Sequence, residues 1–184
     1  MRLTWLGKKV LRLEVGLEHF LIAKTKQNFT EVDIGRNENV RQLAFDEVPE
    51  APFKPFDGQE PAQKPKRMID EDGDHDNDLF LQGENFLLID RVGTERLIVA
   101  IDGLDTGILP AEWVTDAIVI IAADERDELI KSFKEIKAKK SIVIKPRHYL
   151  LAIPAPDEEL FERFVCAVGD SPAQILEPGY AVEL

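Results

Sequence analysis

The chain has 184 residues, of which 44% are apolar, and this length and composition suffice for one compact domain. The formal net charge of −12 disfavours nucleic acid and anionic membranes as partners, because both repel an acidic protein. A single cysteine excludes an internal disulfide and a cysteine-rich metal cluster, and no apolar stretch is long enough to span a membrane. We therefore expect one cytoplasmic domain over residues 1–184.

The N-terminal segment, residues 2–34, is typical of β-structure, because short apolar runs alternate with charged residues and are separated by glycines. The segment over about 37–78 differs from it in composition. Five prolines lie within 48–65, and six acids follow within 70–78. Proline removes backbone hydrogen-bond donors, so neither a helix nor a central strand is expected at 48–65. We predict a long surface excursion, rich in proline and acidic at its end.

The next part of the chain alternates strands with a helix. Two apolar strands at 85–92 and 96–102 predict a hairpin, and the wholly apolar run at 117–122 is typical of a strand covered on both faces. A helix is predicted over 124–140, because acids crowd its start and lysines crowd its end, as the helix dipole favours. Asp124 is the predicted cap of this helix.

Residues 141–145 have the pattern of a buried strand, and a second helix is predicted over 157–168. The apolar face of this helix is predicted to consist of Leu160, Phe161, Phe164 and Val165. Cys166 lies among apolar neighbours there, so we expect a buried and inert thiol.

The chain ends with apolar runs at 173–176 and 180–184, which a Pro178-Gly179 turn separates, and this pattern predicts a terminal hairpin. The order of the elements, strands followed by alternating strands and helices, predicts an α/β fold with layered sheets.

The acidic run at 70–78 has three interpretations. It is typical of a solvated loop, since like charges repel at neutral pH. The alternating Asp70, Asp72 and Asp74 also have the spacing of a calcium loop, but His75 stands where such loops need glycine, and the glutamate at the twelfth position is missing. The third interpretation is a metal motif, which depends on the order of sequence pieces elsewhere in the chain.

Five sequence pieces outside the excursion carry a resemblance to a known family. They are Arg2-Leu-Thr-Trp-Leu-Gly, Phe86-Leu-Leu-Ile-Asp, Arg96-Leu-Ile-Val-Ala-Ile-Asp-Gly-Leu-Asp-Thr-Gly, Lys140-Ser-Ile-Val-Ile-Lys-Pro-Arg-His-Tyr and Ile175-Leu-Glu-Pro-Gly-Tyr-Ala-Val-Glu-Leu. In this order they resemble the metallo-β-lactamase fold, especially the lactonase-like branch related to ascorbate-6-phosphate lactonase. The resemblance covers residues 1–24 and about 84–184. It implies a shortened, degenerate sandwich of two mixed sheets flanked by helices.

The resemblance also implies a metal centre. The family motif His-x-His-x-Asp-His matches the run from Asp70 to His75, in which Asp70 and Asp72 replace the two leading histidines, so the first metal site loses its ligands. The residues that match the ligands of the second site, including the bridging aspartate, are Asp74, His75, Asp105 and His148. Asp70 or Asp72 would act as the catalytic carboxylate that orients a metal-bound water. Such an oxygen-rich site suits manganese, iron or magnesium at least as well as zinc.

Two functions follow from the resemblance. The first, which we favour, is a non-catalytic binding or scaffold protein that uses the excursion at 37–78 as a partner surface. Lys8 favours this function, because the lactonase-like branch often has a histidine at that position. The second is a metal-dependent hydrolase of a small ester, lactone or phosphoester, which would hold a single divalent metal such as Zn, Mn or Fe. Neither the small-molecule substrate nor the protein partner follows from the sequence.

Overall fold

The computed structural model describes residues 1–33, 40–47, 53–56, 58, 79–91, 94–103, 109, 111–115, 117–139, 146–154 and 157–184. The strands in these ranges form two mixed sheets that share an apolar core, and helices cover the far face of the second sheet. This arrangement confirms the predicted α/β class with two mixed sheets. No helix in the described ranges is long and apolar enough to cross a membrane.

Within the described residues, the first sheet has five strands, which are β1 (Arg2–Gly7), β2 (Val10–Val15), β3 (Glu18–Ala23), β4 (Val40–Ala44) and β12 (Ala181–Glu183). Their order is β12-β1-β2-β3-β4, and only the pair β3 and β4 is parallel. A 3-10 helix, Lys26–Glu31, lies on the outer face of this sheet and packs Phe29 against Leu21 and Ala44. The outer face therefore has only a small apolar cluster.

The second sheet has seven strands in the part of the chain that the structure describes, which are β5 (Phe53–Pro55), β6 (Leu79–Gln82), β7 (Phe86–Asp90), β8 (Leu97–Ile101), β9 (Ile118–Ala122), β10 (His148–Ala152) and β11 (Ala173–Leu176). Their order is β11-β10-β9-β8-β7-β6-β5. The four strands β8 to β11 are parallel to one another, and β7 is antiparallel to both of its neighbours. Every residue of β7, β8 and β9 is buried, as expected for strands covered on both faces.

Three α-helices in the described ranges contribute to the layer on the second sheet, namely α1 (Ala111–Val114), α2 (Arg126–Lys139) and α3 (Glu158–Val168). Asp157 caps helix α3, because its carboxylate accepts a hydrogen bond of 2.7 Å from the Leu160 backbone N–H. Phe164 of α3 is fully buried, and its ring centroid lies 5.3 Å from that of Phe133 in α2 and 6.2 Å from that of Tyr149 in β10. Aromatic contacts therefore join the two helices to the sheet.

The expected terminal hairpin is wrong. The strand at 173–176 joins the second sheet beside β10, whereas β12 joins the first sheet beside β1. At the turn between them, the Gly179 backbone N–H donates a hydrogen bond of 2.7 Å to the Trp5 carbonyl. The Pro-Gly turn therefore carries the chain from one sheet to the other, and this crossing ties the two layers together.

The structure also differs from the expectations for the exposed face of α3, for the excursion and for β10. Cys166 is exposed, and Val165 is 39% exposed, because the buried face of α3 continues through Ala167 and Val168. The excursion at 37–78 contains two short strands, β4 and β5. Pro55 ends an edge strand, where its missing N–H leaves no partner unsatisfied. The sequence did not indicate β10, and the strand expected at 141–145 lies outside the described residues.

We predict that Phe164→Ala lowers the free energy of unfolding by about 3–5 kcal/mol, because it leaves a cavity between α2, α3 and β10. The matched control is Val165→Ala, one residue along the same helix, which should cost less than about 1 kcal/mol because the side chain is partly solvated. Urea unfolding followed by circular dichroism measures both. Equal losses in the two variants would show that α3 does not pack as described.

Candidate functional site

Polar side chains meet at one edge of the sandwich, where β8 and β9 end. The Asp102 backbone N–H donates a hydrogen bond of 3.0 Å to the Ala122 carbonyl, so the two strand ends lie side by side. The turn between β1 and β2 reaches the same place through the side chain of Lys9. We call the group formed by Lys9, Asp102, Asp124 and Glu128 the Lys9 cluster.

The ammonium of Lys9 lies between carboxylates from two different elements. Its Nζ donates a hydrogen bond of 2.8 Å to Oδ2 of Asp102, and it also lies 2.8 Å from Oδ1 of that residue. The same Nζ lies 3.5 Å from Oε2 of Glu128, in the first part of α2. Because the Lys9 and Asp102 side chains are only 21% and 15% exposed, solvent screens this contact less than it screens a surface ion pair. The ammonium therefore connects the first sheet, the second sheet and α2.

Three carboxylates share this one ammonium. Asp124 accepts a hydrogen bond from the Lys9 backbone N–H, so it too faces the β1–β2 turn. One buried oxygen on each carboxylate has no well-directed hydrogen-bond partner, namely Oδ1 of Asp102, Oδ1 of Asp124 and Oε2 of Glu128. The cluster thus holds more negative charge than Lys9 neutralises.

The burial of the cluster changes how its groups bind protons. Burial raises the pKa of the Asp124 carboxyl. Burial also raises the pKa of Glu128, and the hydrogen bond and negative charge of Asp102 raise it further. Burial would by itself lower the pKa of Lys9, but the hydrogen bond to Asp102 and the three negative charges outweigh it and raise the pKa above its usual value. Lys9 is therefore charged at neutral pH, and Glu128 keeps its proton to a higher pH than an ordinary glutamate does.

The backbone at the cluster is strained. Lys8 and Lys9 have φ angles of 51° and 59°, and Asp102 has a φ of 60°. Positive φ at both central residues is what a two-residue type I′ hairpin turn requires, and Asn-Gly is the usual choice there because other side chains disfavour this region. Two lysines adopt it here, so the surrounding contacts must compensate for the conformational cost.

Two further polar contacts join the sheets at this edge. Lys24, just after β3, donates a hydrogen bond to the side chain of Asn85, just before β7. Gln82, at the end of β6, donates a hydrogen bond of 3.3 Å to the Glu47 carbonyl. Polar side chains therefore link the two sheets at several points of this edge, and the Lys9 cluster is the most highly charged of them.

The structure describes only one of the residues expected at the metal centre. Asp70, Asp72, Asp74, His75 and Asp105 lie outside the described residues, so the predicted site stays a prediction. His148 is the first residue of β10 and pairs with Ile118 at the amino end of β9. Ile118 also pairs with Leu97 of β8, and Asp102 lies five residues further along the chain than Leu97, a distance of roughly 16 Å. His148 therefore does not join the Lys9 cluster.

The imidazole of His148 has a nitrogen atom that could bind a metal ion. Its side chain is half-buried, and its Nε2 atom is buried without a hydrogen-bond partner in the described structure. Burial lowers the pKa of His148, and the charge of Arg147 lowers it further, so the imidazole is neutral at pH 7. A neutral imidazole is the form that binds a metal ion.

The Lys9 cluster does not fit a divalent metal. Its centre already holds an ammonium, which repels a second cation. Among the residues that the structure describes, no group of three or more His, Cys, Asp or Glu side chains is arranged to hold a metal ion. What the cluster can do is hold the strained turn in place and bind a proton.

Sequence reasoning did not single out Lys9, Asp102 or Glu128 as a group, because each has an ordinary local explanation. Lys9 fits the wet face of a strand, Asp102 fits a loop, and Glu128 fits the first turn of a helix. The available signal was the Lys8-Lys9 pair itself, since lysine is an unusual residue in a tight hairpin turn.

Comparisons with protein-family models, with curated proteins and with solved structures gave no match. The interpretation of this edge therefore depends on its own residues and their geometry.

We predict that Lys9→Met destabilises the protein by about 2 kcal/mol, because it leaves Asp102 and Glu128 without their counter-charge. Lys26→Met is the matched control, since Lys26 forms an ion pair of 2.7 Å with Glu47 but its side chain is 70% exposed. An exposed pair is worth little, so the control should lose less than about 1 kcal/mol. Urea unfolding at neutral pH measures both variants. A Lys9→Met variant as stable as the control would mean that the cluster contributes little to stability.

Proposed function

We propose that this chain is a degenerate, shortened metallo-β-lactamase-like protein with a binding or scaffold role that needs no metal. The observation that carries the proposal is the Lys9 ammonium between Asp102 and Glu128. The Lys8-Lys9 turn follows the Trp-Leu-Gly sequence after which the lactonase-like branch often has a histidine. A cationic side chain at that turn neutralises carboxylates that would otherwise attract a metal cation.

The architecture supports the family assignment within this proposal. Two mixed sheets that share a core are what the resemblance implies. The described α-helices pack only on the second sheet, whereas the first sheet has the 3-10 helix and a small cluster on its outer face. We attribute this one-sided covering to the shortening that the sequence resemblance implies.

We propose the excursion at about 37–78 as the surface that contacts a partner. It contains the run of six acids at 70–78 in a chain of net charge −12, so the partner would have a positively charged surface. Attraction of this kind accelerates association and weakens as salt screens the charges. A single cysteine is compatible with a reducing, cytoplasmic location for such a protein.

The second candidate is a hydrolase with one divalent metal, and His148 favours it. Its buried Nε2 without a partner is free to bind a metal. Asp74, His75 and Asp105 would complete the ligand set, and Asp70 or Asp72 would orient the attacking water. The metal would supply hydroxide by lowering the pKa of the bound water.

Metal analysis of protein purified without chelator separates the two functions. We expect less than about 0.1 metal ion per chain and no rise in melting temperature on addition of Mn²⁺ or Zn²⁺. A ligand that binds the folded state must raise the melting temperature, by an amount that grows with its concentration above the dissociation constant. Differential scanning fluorimetry measures the shift.

Two variants make the outcome specific. A metal-dependent rise that is lost in both His148→Ala and Asp105→Asn, but kept in His19→Ala, would overturn the proposal and support the hydrolase. His19 is a suitable control because it lies in β3, contacts Glu14 and matches no ligand of the family motif. A rise that all three variants keep would indicate weak binding to the acidic run and would leave the binding role in place.

A further inference from the structure

The β1–β2 turn is held to the rest of the molecule by charge. Lys8 and Lys9 occupy a backbone region that non-glycine residues disfavour, and Asp102 does so on the opposite side of the same contact. Such residues relax when the contacts that hold them weaken. At this turn the contacts are the ion pair of Lys9 with Asp102 and the hydrogen bond from the Lys9 backbone to Asp124, while the Glu128 carboxylate, 3.5 Å from the same ammonium, competes with Asp102 for it.

The charges that face Lys9 come from three elements. Asp102 follows β8, Asp124 follows β9, and Glu128 belongs to α2, while Lys8 adds a second positive charge near Asp124. When all three carboxyls are ionised, Asp102 and Glu128 repel each other across a single ammonium. When Glu128 is protonated, its carboxyl O–H donates a hydrogen bond to Asp102 and the repulsion disappears.

We infer that the Lys9 cluster is a proton-sensitive latch, which holds the β1–β2 turn against β8 and α2 most firmly when Glu128 is protonated. With Glu128 ionised, two carboxylates compete for Lys9 and the turn opens more often. The inference does not depend on the proposed function, since it uses only described residues and no metal.

The direction of the pH dependence follows from the shifted groups. Glu128 and Asp124 both have pKa values raised in the folded state, so the folded state binds their protons more tightly than the unfolded state does. The cost of burying these two charges, to which the negative charge of Asp102 adds, is absent below their ordinary pKa values and grows as pH rises through the raised ones. Lys9 stays charged throughout that range, because its pKa is raised above its ordinary value of 10.5. The latch therefore loosens as pH rises, and the change comes from the carboxyls.

Amide hydrogen exchange at Lys9 and Asp102 tests the latch. The Lys9 N–H bonds to Asp124 and the Asp102 N–H bonds to Ala122, so their protection factors measure local opening. We expect the protection of the Lys9 amide to fall about tenfold, after correction for the intrinsic exchange rate, as pH rises from below 4.5, the ordinary pKa of a glutamate, to neutral pH. In Glu128→Gln, the side chain cannot ionise, and the fall should shrink to about twofold or less.

The control is Glu125→Gln, three residues before Glu128 and exposed, which should keep the wild-type pH dependence. A Glu128→Gln variant with the wild-type dependence, or a wild type without any, would overturn the latch. If Glu128→Gln does not fold, the side-chain carboxyl carbon of Glu128 in the wild type reports its titration directly by NMR. The latch then requires that this titration and the loss of Lys9 protection share one midpoint, and separate midpoints refute it.

Discussion

The second sheet is covered on both faces, and this constraint organises the molecule. The first sheet buries one face of it around Trp5, Phe20 and Leu87, and the helices bury the other around Phe133 and Phe164. A strand covered in this way has no wet face, so β7, β8 and β9 consist almost entirely of apolar residues. In the described part of the second sheet, the buried polar side chains Gln82 and Asp90 accordingly stand where strands end.

Charged side chains from both sheets meet at the edge where β8 and β9 end. Asp102 and Asp124 come directly after buried strands, and the first sheet brings Lys9 to meet them. Partial burial strengthens each charge interaction there and also makes every unpaired carboxylate oxygen costly. The same low exposure that makes Lys9 an effective tie between the sheets therefore makes the cluster sensitive to a proton.

An ammonium and a divalent metal are alternative ways to neutralise a group of carboxylates, and they have different consequences for function. A metal can bind water and lower its pKa, whereas an ammonium holds carboxylates in place without supplying a nucleophile. Lys9 gives this edge a structural tie, and that is why we favour a binding role. The free Nε2 of His148 lies at the other end of the parallel strands, so a metal bound there would leave the Lys9 cluster unchanged.

Strands and helices that have a clear pattern in neighbouring residues could be predicted from the sequence. The alternating pattern of β1 to β3, the apolar run of β9 and the helix predicted at 157–168 all appear in the structure as expected. The tertiary structure alone decided that the last two strands join different sheets, because a Pro-Gly turn permits both a hairpin and a crossing. It alone also decided that Lys9 meets Asp102 and Glu128, since contacts between residues more than ninety positions apart depend on how the sheets stack and leave no local pattern.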